Sequence, residues 1–406
     1  MKLKIDPTLI NNSQEEAQAL GDYLIKNDLA FLEKKGEHKV TPSLELEITH
    51  NLILDQENTN PNIKKYYVIS KDFLGKGAFS KARGAMGYIE VDIASSKVTY
   101  TPSEDKAIRV KNTQYAQKKI LNTGATPYSH SEAVAAYQQT KNFSHIGMQP
   151  PIEVKKSHAQ LGLFSKSYAL MNKLKGNDLN VEIVDFISNA DPDTATMVKR
   201  VMLPILEAYK TQISDKNFVH RDIKLENIRA YLSVKGSTIN FLDVDSALKV
   251  GEKDTVYGSP AFLPPELLQI TSSNAVLVTP ARDIFQLGVL LIACLNPNLD
   301  PNSYFPDQLN AQSGEEVVQF ALEQIQQNGC YDPDKMGFNL FEYIQDSQVI
   351  PSSEETDLRN EIKEILKEMT KEDPTQRPDI DTVISKLNDI LIRLEPQQQQ
   401  ITPNNP

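Results

Sequence analysis

Tryptophan is missing from this 406-residue chain, and cysteine is nearly missing, with only Cys294 and Cys330 present. Two thiols so placed make no metal-ligand spacing, which excludes a structural zinc site built on paired cysteines. Cys294 lies inside the apolar run Leu287-Gly288-Val289-Leu290-Leu291-Ile292-Ala293-Cys294-Leu295, where a buried structural thiol is expected. Such thin cysteine usage fits a reducing compartment. That run is far shorter than the roughly 20 apolar residues of a membrane helix, and the polar stretch Met1–Asn12 lacks the apolar centre of a signal peptide. The expectation is a cytoplasmic protein with no membrane span. Positive charge is also scarce: 43 Lys and Arg stand against 54 Asp and Glu, a net charge of -11. No nucleic-acid partner is expected, because affinity for a phosphate backbone rests on basic side chains.

What is present is an ordinary globular composition, 40% hydrophobic and 24% charged, in a chain long enough for one large core or two lobes. No internal repeat occurs. Ser13 followed three residues later by Glu16 is a capping-box signature, and Ala17, Leu20, Leu24, Phe31 and Leu32 follow a helical stripe. Leu44, Leu46 and Ile48 then alternate with Glu45, Glu47 and Thr49, as in a half-buried strand. At the far end, Gln397–Gln400 and Pro403–Pro406 form a polar, proline-ended tail with nothing to bury.

The most informative stretch is His220-Arg221-Asp222-Ile223-Lys224-Leu225-Glu226-Asn227, with Asp243 further on after two strand-like runs. A positioned carboxylate, a lysine two residues on, and a separated amide and carboxylate are what metal-dependent phosphoryl transfer needs. These eight residues resemble the catalytic loop H-R-D-L-x-x-x-N of eukaryotic-type protein kinases, with only Ile223 departing. The resemblance implies that Asp222 orients the acceptor hydroxyl and takes its proton. It implies further that Lys224 offsets charge on the moving phosphoryl group, while Asn227 and Asp243 hold magnesium.

Further matches follow the family's order over some four fifths of the chain, from Tyr66 to about Leu394. Leu74-Gly75-Lys76-Gly77-Ala78-Phe79-Ser80-Lys81-Ala82 resembles the glycine-rich loop over the ATP phosphates, with Gly75 and Gly77 kept, Ser80 at the third glycine and Ala82 at the valine. Lys106-Ala107-Ile108-Arg109 resembles V-A-I-K, which implies that Ala107 faces adenine and that an arginine occupies the place of the phosphate-binding lysine. Two other cations could serve. Lys111 shares a strand face with Arg109, and Lys81 lies near where the with-no-lysine kinases supply theirs. Glu132 is the candidate helix carboxylate that pairs with the strand cation. Tyr168–Leu179 looks like the strand and hinge beside adenine, with Met171 as gatekeeper, the backbone of Asn172 to Leu174 as hydrogen-bonding edge and Asp178 as ribose partner.

In the second half, Asp243-Val244-Asp245 stands where the family has D-F-G, so the metal carboxylate is kept while the aromatic and the glycine are lost. Gly258–Glu266 resembles the end of an activation segment, with Ser259 at its threonine. Glu266 is expected to pair with Arg377. Arg221, directly before Asp222, marks kinases whose segment is ordered by a phosphate, and Thr255 is the first candidate acceptor, ahead of Tyr257 and Ser259. Arg282-Asp283-Ile284-Phe285-Gln286-Leu287-Gly288 resembles D-x-W-x-x-G, which implies that Asp283 binds backbone N–H groups of the catalytic loop.

The expected architecture is therefore α+β, a bilobal protein-kinase-like fold with a small β-rich N-lobe and a larger helical C-lobe. An extension over 1–64 packs on the N-lobe, the kinase-like domain covers 65–395, and a disordered polar tail covers 396–406. The resemblance implies a serine/threonine protein kinase using ATP and Mg2+ on a protein substrate. The alternative is a pseudokinase acting as a nucleotide-binding or scaffolding module, to which Arg109, Val244 and Asp245 point. Richness in Asn, Gln and Lys together with divergent motifs is similar to kinases that some intracellular bacteria deliver into host cells. Nothing in the sequence speaks to oligomeric state.

Overall fold

Ser13 opens the first helix by accepting the Glu16 amide on its hydroxyl at 3.3 Å, and α1 runs Gln14–Asn27. The helix does not continue to Phe31 and Leu32 as the apolar stripe suggested. Asp28 adopts a left-handed conformation, φ 45°, that terminates it. Phe31–Leu32 instead form a short strand, β2. The computed structural model describes residues 2–34, 38–76, 80–112, 130–158, 162–259, 262–269, 276–296, 323, 325–335, 340–341 and 353–394. They belong to two compact units, Met1–Leu174 and Lys175–Pro406. The glycine-loop residues Gly77 to Phe79 and the expected tail 396–406 lie outside the described residues.

In the first unit, β1 (Lys2–Ile5) pairs in parallel with β4 (Leu44–Ile48), which also takes β3 (His38–Thr41) antiparallel. Leu46 and Ile48 of β4 are buried and Glu47 is exposed, the alternation its sequence requires. A larger sheet is built from β5 (Leu52–Leu54), β6 (Ile63–Lys76), β7 (Ser80–Asp92), β8 (Val98–Pro102), β9 (Lys106–Asn112), β10 (Ile152–His158) and β11 (Gly162–Asn172). Its order is β10-β11-β9-β7-β6-β5-β2, with β8 paired to β7, and the helix α2 (His130–Thr140) falls between β9 and β10 in sequence. Strands β5 and β2 thus add to the sheet edge beside β6. Ile5, Ile10, Leu20, Leu24 and Leu46 share one core with Tyr66, Val68, Ile89, Val91 and Val98. At Gly21 a Cβ would lie 2.0 Å from the Ser96 carbonyl oxygen, so α1 approaches the β7–β8 connection at backbone distance.

The second unit is mainly helical. It contains β12 (Asn177–Asp178), α3 (Leu179–Ala190), α4 (Thr194–Met197), a π-turn (Val198–Met202), α5 (Leu203–Gln212), β13 (Phe218–Val219), β14 (Ile228–Tyr231), β15 (Thr238–Phe241) and β16 (Leu248–Lys249). Then follow α6 (Pro280–Leu295), α7 (Ser353–Met369) and α8 (Ile380–Leu394). Helix α6 is buried almost all round, as its apolar run requires. Cys294 lies inside it with its thiol pushed up to about 12 by burial, an inert structural group. Among the described residues no helix is long and apolar enough to cross a membrane.

Candidate active site

The hairpin of β14 and β15 delivers two groups to one place. Asn227 ends the turn before β14, Asp243 follows β15, and the Leu242 amide donates to the Asn227 carbonyl at 2.7 Å. Asn227 is buried, and its amide nitrogen donates to both the main-chain carbonyl and the Oδ2 of Asp222, each at 2.8 Å. That commitment fixes which end of the amide is oxygen. Lys224 Nζ lies 3.2 Å from Asp222 Oδ2. The Ser259 hydroxyl closes the group: it accepts from Lys224 Nζ at 2.7 Å and donates to Asp222 Oδ1 at 3.0 Å. A serine hydroxyl therefore sits between the carboxylate and the ammonium, as an acceptor hydroxyl would.

The loop carrying these groups is fixed from behind. Asp283, fully buried at the start of α6, accepts the amides of His220 at 2.5 Å and Arg221 at 3.0 Å, the anchoring role expected of it. Burial holds its carboxyl above the usual range, while those two donors and the charges of His220 and Arg282 work against the rise. Two groups had no role assigned from sequence. Gln286 accepts the Ile223 amide at 3.0 Å and donates to the Arg221 and Phe262 carbonyls. Asp254, also buried, bridges Arg221 and Arg282. The His220 ring contacts the Leu242 carbonyl through Nε2 at 2.7 Å, tying the loop to the strand before Asp243. Arg221 and Asp243 have φ of 75° and 52°, strained values for residues with a side chain, held by these contacts.

Asp243 is exposed, whereas Val244 is buried. Glu266 and Arg377 form the expected pair, bidentate at 2.8 Å for both contacts, with the arginine side chain fully buried. Arg377 also donates to three main-chain carbonyls, of Lys371, Ala281 and Glu372.

In the first unit, pairing registers decide which side chains share a face. Met171 pairs with Ala107, and Ala169 with Arg109, which also pairs with Ala82. Paired residues of antiparallel strands point the same way, so Met171, Ala107, Arg109 and Ala82 lie on one face, with position 111 on it as well. Lys81 pairs with Val110 and so belongs to the opposite face, where its Nζ lies 5.3 Å from the Phe73 ring. The Lys111 side chain is outside the described residues. Gly75 lies in β6 opposite Ala82. Glu132 sits in the first turn of α2 and is exposed.

In the expected hinge, the Asn172 amide donates to the Ile146 carbonyl at 2.9 Å and the Lys173 amide to the Asp105 carbonyl at 2.8 Å. Asp178 precedes α3, and its carboxylate accepts from Arg229 at 2.8 Å. A ribose hydroxyl would have to share it.

The site's donor set fits a hard, oxygen-seeking cation: one carboxylate, Asp243, and one amide oxygen, Asn227. Among the described residues no cluster of three or more His, Cys, Asp or Glu converges. Mg2+ suits such a site, since it is commonly held by one or two protein oxygens with phosphates and water completing its shell.

Comparison with known proteins agrees with this geometry. The model of the family described as protein kinase domain matches residues 70–387. MAP kinase-interacting serine/threonine-protein kinase 1 of Xenopus tropicalis is 23% identical over 241 residues, 57% of this chain and 50% of that protein. Serine/threonine-protein kinase dkf-1 of Caenorhabditis elegans is 27% identical over 237 residues, 57% of this chain and 28% of that protein. MAP3K epsilon protein kinase 1 of Brassica napus is 23% identical over 325 residues, 77% of this chain and 19% of that protein. The chain thus spans half or less of the length of these relatives.

Proposed function

This chain belongs to the protein kinase family, and from that premise we propose that it transfers the γ-phosphoryl group of ATP to serine or threonine hydroxyls of a protein. The observation that carries the reading is the Asp222–Ser259–Lys224 cluster, in which a hydroxyl is held between the carboxylate and the ammonium. A substrate hydroxyl presented there would be oriented by Asp222 Oδ1. Its oxygen bonds to the γ-phosphorus, its proton passes to Asp222, and the bond to the leaving oxygen of ADP breaks. Lys224 lies beside the same carboxylate and offsets charge spreading onto the transferring group. Asn227 and Asp243 would hold Mg2+, which when bound neutralises phosphate charge.

We assign the two units to the two lobes of a kinase. In the first, Ala107 and Met171 would flank adenine, the Leu174 amide would meet its edge, and Gly75 and Gly77 would let backbone approach the phosphates. Arg109, on the Ala107 and Met171 face, would serve as the phosphate cation with Glu132 as its partner, and Asp178 as ribose partner. Lys81 is disfavoured by its opposite orientation.

A second reading, a nucleotide-binding or scaffolding pseudokinase, is favoured by Arg109 and by Asp243-Val244-Asp245. Incubating the chain with γ-labelled ATP, magnesium and dephosphorylated casein separates the two. The kinase reading expects label on serine and threonine, abolished by chelating magnesium. Nucleotide binding without any label would favour the pseudokinase.

A further inference from the structure

All three nitrogens of the Arg221 guanidinium are engaged. Its Nε donates to Asp254 Oδ1 at 3.1 Å, Nη1 to the Ser246 carbonyl at 3.0 Å, and Nη2 to the Thr255 hydroxyl at 2.7 Å, with Asp254 Oδ1 also 3.0 Å from Nη2. The other oxygen of Asp254 receives Nη1 of Arg282, and Arg282 Nη2 donates to the Arg221 carbonyl at 3.0 Å. All three side chains are buried, at 7%, 2% and 2% exposure for Arg221, Asp254 and Arg282. With Asp283 on the amides of His220 and Arg221, two arginines face two aspartates, so the cluster balances without an added anion. Loop pairing sets Asp254 in place: Lys253 bridges Leu277, and the Asp254 amide donates to the Val276 carbonyl at 2.8 Å.

We propose that Asp254 is the built-in anion of this segment: a positioning residue that holds Arg221, and through it the loop bearing Asp222, without phosphorylation of the segment. The idea rests on the kinase reading for its catalytic consequence, though not for its structural one. A phosphate on Thr255, which the sequence suggested as Arg221's partner, would arrive at a guanidinium already bonded through each of its nitrogens. It would bring about 1.5 to 2 negative charges to a balanced cluster.

The test uses the full chain treated with phosphatase and shown by intact mass to carry no phosphate. Steady-state transfer to casein is measured for wild type, Asp254→Asn, Asp254→Glu and Asp254→Asn with Thr255→Glu, alongside hydrogen exchange of residues 219–223 and 246–259. Unphosphorylated wild type should keep its activity within about twofold of untreated protein. Asp254→Asn should lose about tenfold or more in kcat with KM for ATP within about twofold, and exchange in both segments should quicken about tenfold. Asp254→Glu or the added Thr255→Glu should recover part of both. Phosphatase treatment that cuts wild-type activity more than about tenfold, or an Asp254→Asn chain with unchanged exchange, overturns the proposal. If Asp254→Asn folds poorly, the phosphatase arm and the comparison of Asp254→Glu with wild type remain decisive. If wild type shows no transfer at all, the kinase reading fails on its own, and exchange in unphosphorylated wild type against the variants still decides the role of Asp254.

Discussion

Ser259 holds its hydroxyl between two charged groups, so its loss leaves both Asp222 and Lys224 short of a partner. Hydrogen bonds to charged groups contribute about 1.5 to 3 kcal/mol to stability, so Ser259→Ala should lower thermal stability and, with Asp222 and Lys224 less well held, lower kcat for casein by about tenfold or more. A kcat within twofold of wild type would remove Ser259 from the site. Arg109 and Lys111 make a second pair to compare: ATP hydrolysis should fall in Arg109→Ala, and loss confined to Lys111→Ala would show that the strand is read in the wrong register. The grouping of Asp222, Lys224 and Asn227 could be anticipated because the stretch from His220 to Asn227 resembles the kinase catalytic loop. The bond from Asp283 to the loop amides and the pair of Glu266 with Arg377 were implied by the family resemblance. Asp254 was not. Its role depends on a loop pairing with Val276 and Leu277, remote in sequence, and an aspartate beside a threonine carries no pattern of its own.

The first 54 residues share a core with β6, β7 and β8 and add β5 and β2 to their sheet, and α1 meets the β7–β8 connection at backbone distance at Gly21. Gly21→Val would drive a side chain into the Ser96 carbonyl and should cost about 1 to 3 kcal/mol in urea unfolding; no change would mean that α1 does not dock there in solution. His50 lies 3.6 Å from Asp6 and 2.8 Å from the Thr49 hydroxyl. Burial holds its imidazole below the ordinary value, opposed by Asp6 and reinforced by Lys71 and Lys34. A base depressed in the folded state takes up protons more readily once unfolded. Stability should therefore be full above about pH 6.5 and decline as pH falls below it. Melts of wild type and His50→Gln over that range check this, the variant showing the shallower decline. The capped start of α1 and the alternation of β4 were readable, being local. The end of α1 was not, because the apolar stripe runs on through Phe31 and Leu32 while a left-handed Asp28 stops the helix.

Over the whole chain, the protein kinase domain is joined to departures at Arg109, Val244 and Asp245. The C-terminal half depends on buried ion pairs whose rupture leaves a charge stranded. Arg377→Met should destabilise the protein by about 3 to 5 kcal/mol through an unpaired Glu266 and lost bonds to three carbonyls. The family and the order of its motifs could be read across most of the chain. That the first 64 residues pack on the smaller lobe was an expectation from sequence, but the pairing of β5 with β6 and the shared core were not, since both arise only when the chain is folded. Everything functional rests on Asp222 serving as the base for an acceptor hydroxyl. The most direct measurement is the initial rate of label transfer from γ-labelled ATP to casein by wild type and by Asp222→Ala, both shown to be folded. The account predicts a loss of at least about 100-fold in the variant, and equal rates for the two proteins would contradict it.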